Sequence, residues 1–159
     1  MKRRTILTLT VITLLGLAAL PQTGFAQSAP ATGLWQLNLA KSKYSPGPSP
    51  KSGTIYVRGE GQNRKATAVG IDAAGNPTVI LLPEYIPDGK PHPVTGAPAY
   101  DASVWTRVNA YTFNVSRTKE VVQTVTNVVT PDGKTLTLTT TGTDASGRQI
   151  NNIAVYDKQ

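Results

Sequence analysis

The sequence contains no cysteine, which excludes disulfide staples, thiolate metal ligands and lipid attachment through an N-terminal cysteine. It has one histidine, His92. Nucleophilic hydrolysis needs a base beside a serine or cysteine. This imidazole stands between Pro91 and Pro93, and no pattern names a serine and a carboxylate to complete a triad with it. Ligand clusters for a metal are also missing. Asp72, Asp88, Asp101, Asp132, Asp144 and Asp157 fall in turns or at strand ends, where aspartate hydrogen-bonds the backbone. Neither a phosphate-binding G-x-x-x-x-G-K loop nor a dinucleotide fingerprint occurs. Beyond Lys2-Arg3-Arg4 the cations are scattered, whereas a nucleic-acid groove wants clustered cations interleaved with stacking aromatics. These absences predict a protein that is not an enzyme, takes no cofactor or metal and binds no nucleic acid.

Helical periodicity is missing too, and in its place apolar residues recur with a period of two. Tyr111, Phe113 and Val115 alternate with Thr112, Asn114 and Ser116, as in a strand with one buried face. Residues 120–130 are crowded with valine and threonine, which lose χ1 freedom in a helix and pack well in a sheet. Pro131-Asp132-Gly133-Lys134 and Asp144-Ala145-Ser146-Gly147 supply the residues that tight reversals need. Strands are expected near 34–39, 54–59, 64–72, 78–82, 103–108, 110–117, 120–130, 134–142 and 148–157. Trp35, Leu37 and Leu39 share one face of the first, and Ala66, Ala68 and Gly70 give the third a face small enough for something to approach closely. Residues 78–82 are apolar on both sides, which predicts a strand covered by other segments. The fold class is all-β, an antiparallel up-and-down meander of about 8–9 strands forming a barrel or a strongly curved sheet.

Two stretches break the pattern. Residues 41–51 are proline-rich and read as an extended loop. Residues 83–101 hold Pro83, Pro87, Pro91, Pro93, Pro98, Gly89 and Gly96, which predict a long excursion without regular structure. That excursion also holds Tyr85, His92 and Tyr100.

At the start, Lys2-Arg3-Arg4, an apolar run over residues 6–20 and Gly24-Phe25-Ala26 have the three zones of a signal peptide cut after Ala26. The run is shorter than the roughly 20 residues a membrane helix needs. Residues 27–32 read as a disordered leader and residues 33–159 as a single domain. Removing residues 1–26 leaves 133 of 159 residues, with thirteen basic side chains against nine acidic ones. That is enough chain for one domain with its own core. The expected destination is the periplasm or the extracellular space of a bacterium.

Gly33-Leu34-Trp35-Gln36-Leu37-Asn38-Leu39-Ala40-Lys41-Ser42-Lys43-Tyr44-Ser45-Pro46-Gly47-Pro48, with Asp132-Gly133-Lys134 and Val155-Tyr156-Asp157-Lys158, resembles a group of uncharacterised exported bacterial proteins across nearly the whole mature chain. More distantly, Gly33-Leu34-Trp35 opening a β meander is similar to the start of the lipocalin and fatty-acid-binding (calycin) superfamily. That resemblance implies a lipocalin-like barrel with Trp35 closing one end. The prolines between Ser42 and Gly53 stand where fatty-acid-binding proteins carry a two-helix lid. Independently, an aromatic just before alternating leucines favours a structural plug at Trp35. The expected function is binding of a small apolar or amphipathic ligand, with Tyr85, His92, Tyr100 and Trp105 as the contact set. The alternative is a structural or interaction component of the envelope, its barrel filled by its own side chains.

Overall fold

The computed structural model describes residues 31–59, 64–119, 123–144 and 146–159, without the side chains of Tyr85, Thr118 and Lys119. The segment read as a signal peptide, 1–26, lies outside the described residues. Ten strands form one sheet: β1 (Gly33–Leu37), β2 (Ser52–Arg58), β3 (Arg64–Ile71), β4 (Pro77–Tyr85), β5 (Asp88–Pro93), β6 (Tyr100–Arg107), β7 (Thr112–Lys119), β8 (Gln123–Val129), β9 (Thr135–Thr143) and β10 (Gln149–Lys158). Their order is β4-β3-β2-β1-β10-β9-β8-β7-β6-β5, with every pair antiparallel. The all-β meander is thus as expected, with one strand more than the sequence suggested. The only helical element among the described residues is a 3-10 turn, Leu39–Lys41. Leu39 therefore leaves the face of Trp35 and Leu37 and is exposed.

Because β1 pairs with β10, the sheet curls until its two end strands meet. The closure is one bridge between β4 and the segment that follows β5: Leu81 N–H donates to the Thr95 carbonyl at 2.8 Å and Thr95 N–H to the Leu81 carbonyl at 3.0 Å. The barrel is nearly closed. Gly96 adopts φ +86°, and a Cβ there would overlap the Val79 carbonyl. Only glycine combines that backbone with so close an approach.

Two expectations are corrected here. The stretch 83–101 is not an irregular excursion, because β4 runs on to Tyr85 and residues 88–93 form β5 against β6. Proline is compatible with β5 because this strand ends the sheet. Pro91 and Pro93 lie two residues apart, so both missing donors face the edge away from β6, where no ladder needs them. The second correction concerns β4. Ile80 and Leu82 face inward, but Val79 and Leu81 are 52% and 40% exposed. Nothing among the described residues covers that side, and Leu34, Tyr56 and Val69 are exposed with them.

The densest packing gathers around Trp35, 0% exposed, with Val57, Val129 and Leu136. Trp35 Nε1 donates to the Ala31 carbonyl at 2.7 Å, and Lys158 Nζ lies 5.3 Å from the centre of a Trp35 ring. Ala31, inside the segment read as a leader, packs against this cluster. At the chain's other end Asp157 accepts from Asn38 Nδ2 at 2.7 Å and pairs with Lys41 Nζ at 2.9 Å. This ties the 3-10 turn to β10.

The turns are built by aspartates. Asp72 Oδ1 accepts from the N–H groups of Asn76 and Gly75 at 2.7 and 2.8 Å. Asp132 accepts from the Thr130 hydroxyl and from Lys134 N–H, and Asp144 from Arg148 N–H and Ser146 N–H. Each donor favours the ionised carboxylate, so the pKa values of Asp72, Asp132 and Asp144 are held below the usual range. Asp157 is lowered by Asn38 first and then by Lys41.

Two outcomes follow. Truncating Trp35→Ala should cost about 3–5 kcal/mol, measured by urea unfolding; a midpoint unchanged from wild type would contradict its place in the core. The lowered aspartates release protons more readily when folded than when unfolded. Their contribution is therefore complete above the unfolded carboxylate range near about pH 4 and is lost as pH falls through the lower folded values. Thermal melts from pH 6 downward should show stability falling below about pH 4, with a shallower fall in Asp157→Asn.

Candidate functional site

The sheet alternation that buries Trp35 leaves space beside it. On β3, Ala66 and Ala68 point inward, where Ala68 lies opposite Ile55 of β2 and Ile80 of β4, and Ala66 opposite Val57 and Leu82. Two methyl groups cannot fill a volume that larger side chains would fill. The facing wall carries Phe113, Asn127 and Leu138 in register across β7, β8 and β9, with Trp105 and Tyr100 from β6. Between these walls is a cavity of about 240 Å³. It lies at or below the lower end of ligand sites, roughly 300–1,000 Å³, so a compact occupant suits it better than a long chain.

The polar groups in this cavity are few. Arg64, 6% exposed, places its Cζ 5.4 Å from the Phe113 ring centre. Arg117 lies over Tyr100 at 4.5 Å and donates from Nη1 to Gln123 Oε1 at 3.4 Å. Gln123 is itself buried and anchored, its Nε2 donating to the Thr143 carbonyl at 3.1 Å. Ring faces favour a guanidinium with little water around it. Tyr156 also borders the space, and burial first, then the neighbouring Tyr44, push its pKa well above the ordinary value. It is a neutral hydroxyl at any physiological pH. Asn127 completes the set, with its Nδ2 buried and lacking a hydrogen-bond partner. No acidic side chain is among the described residues that line the cavity.

Of the residues singled out from sequence, Tyr100 and Trp105 border the cavity and Trp35 lies in the core next to it. Tyr85 ends β4, paired with Arg64; its side chain lies outside the described set. His92 is not part of the cavity wall. Its ring is 15% exposed and its Nε2 lies 2.9 Å from Asp88 Oδ1. That contact is the main cause of the lowered Asp88 pKa. Ser103 stands opposite His92 across the β5–β6 pair, but its buried hydroxyl accepts from Trp105 Nε1 at 3.0 Å. The structure therefore brings Tyr100 and Trp105 together and sets His92 apart. Arg64, Arg117, Asn127 and Tyr156 were not foreseen. One signal was present for three of them: Arg64, Arg117 and Asn127 occupy the inward parity of their strands, where Ala66 and Ala68, Phe113 and Val115, or Val125 and Val129 mark the buried side.

The sequence matches no protein-family model and no curated protein. The barrel is similar to that of zebrafish ileal bile acid-binding protein in complex with cholic acid, with a TM-score of 0.54 at 12% identity over 82% of this chain and 99% of that one. An S-type phycobiliprotein lyase from Guillardia theta gives a TM-score of 0.49 at 10% identity, over 82% and 89% of the two chains. The first likeness is one of fold, a nearly closed lipocalin-like antiparallel barrel.

Proposed function

We propose that this chain binds a small amphipathic molecule inside the barrel, apolar over most of its surface and anionic at one end. The observation that carries this is an apolar cavity bordered by Arg117, whose guanidinium is held over the Tyr100 ring and against Gln123, with no acid among the described residues that line it. Holding a guanidinium partly away from water is costly, and the ring and amide contacts of Arg117 offset only part of that cost. An anion in the same low-dielectric space interacts with that guanidinium far more strongly than it would in water. Cholic acid, in complex with the zebrafish protein of similar fold, is an amphipathic acid and supports the choice of ligand class. The basic start, apolar run and small residues before position 27 support an exported binding protein working in the periplasm or outside the cell. A second reading has its own observation. The exposed row Leu34, Tyr56, Val69, Val79 and Leu81 is an apolar outer face that suits an interaction component of the envelope.

Filling the cavity separates the two. With 8-anilinonaphthalene-1-sulfonate as an anionic probe, Ala68→Leu should weaken binding about tenfold or more, equal to about 1.4 kcal/mol, without lowering the melting temperature. Arg117→Gln should weaken this sulfonate more than the uncharged N-phenyl-1-naphthylamine. Unchanged sulfonate binding in Ala68→Leu would place the probe on the outer face and reject an interior site.

A further inference from the structure

The Asn127 amide is the one described polar side chain with a buried, unpartnered nitrogen. It sits in the cavity wall between Phe113 and Leu138 on the neighbouring strands, with Val125 and Val129, both almost fully buried, on either side along β8. Its neighbours across the flanking strands and along β8 are hydrocarbon. A buried donor without a partner bears its full desolvation cost, and an apolar residue of similar shape avoids that cost. Leucine or valine would be the ordinary occupant of such a position, as at the flanking sites.

We propose that Asn127 reads a neutral oxygen, a hydroxyl or carbonyl, set in the apolar body of the ligand and separate from its anionic end. This deepens the interior-binding proposal and rests on it. Arg117 lies four residues from Phe113 along β7, and Gln123 four residues from Asn127 along β8, a backbone span of about 13 Å. An anionic group held at Arg117 is therefore distinct from the oxygen that meets Asn127. A site that hydrogen-bonds one ligand oxygen rejects the analogue lacking it, because the protein donor is then left unsatisfied.

The test uses 2-naphthoate and its hydroxy derivatives, with the hydroxyl moved around the ring positions, titrated calorimetrically into the wild-type protein and into Asn127→Leu. At least one hydroxy isomer should bind wild type tenfold or more tighter than 2-naphthoate. That preference should shrink to within about twofold in Asn127→Leu, while 2-naphthoate binds the variant equally or more tightly. Asn127→Ser, which keeps a donor, should recover part of the preference. The melting temperature of Asn127→Leu without ligand should be equal to or above wild type, since an unsatisfied group is removed. A preference that survives in Asn127→Leu, or a variant that weakens 2-naphthoate as much as its hydroxy forms, would overturn the assignment. A lowered melting temperature would also do so, by showing that the amide serves the fold. If naphthoates bind wild type without discrimination, the Asn127 assignment fails and the interior site stands. If none binds, the interior site fails and takes the assignment with it.

Discussion

Two backbone hydrogen bonds between Leu81 and Thr95 turn a ten-stranded curled sheet into a nearly closed barrel. A sheet with two free ends exposes rows of donors and acceptors that invite other chains to pair with them. Here the last strand on one side, β5, presents prolines to that edge, and the last on the other, β4, meets the segment that follows β5. The seam is narrow, and it depends on Gly96 letting one backbone pass against another. Without disulfides, the continuity of this ladder and the cluster around Trp35 hold the chain's shape.

Closure also decides what the inside is like. Along each strand every second residue points inward, so the interior volume follows from the size of those side chains. Around Trp35 they are large and fill the space. Along β3 they shrink to Ala66 and Ala68, and the cavity begins there. The plug and the cavity are thus two consequences of one alternation, distinguished by residue size. The aspartate-built turns fix the register that keeps each inward residue facing inward, since a slip of one position would exchange the two faces.

Much of the fold was legible because period-two alternation and turn chemistry are local signals. Tyr111, Phe113 and Val115, or Pro131-Asp132-Gly133, carry their meaning within a few residues. What was not legible depends on distant partners. Pro91 and Pro93 look like breakers until the chain is known to place them on a terminal strand. Val79 and Leu81 look buried until nothing is found to cover them. The aromatic residues Tyr100 and Trp105 drew notice by type, but His92 did too and lies outside the cavity wall, because residue type says nothing about where a strand comes to rest. Arg64, Arg117 and Asn127 look like ordinary surface polar residues in sequence, and only strand parity places them inside.

Their presence inside is the strongest departure from what folding alone would select. A barrel shaped only for stability fills its interior with hydrocarbon, because guanidinium and amide groups lose water on burial and regain part of that loss through partners. In this barrel the guanidinium of Arg117 is positioned by a ring and by an amide that is itself anchored to a β9 carbonyl. Such support holds a charge in a fixed direction, and electrostatic recognition gains most from groups already oriented before the partner arrives. Asn127 is different, because its nitrogen has no support at all. One interior therefore contains a charge held in place by its neighbours and a donor left without one, set apart along β7 and β8.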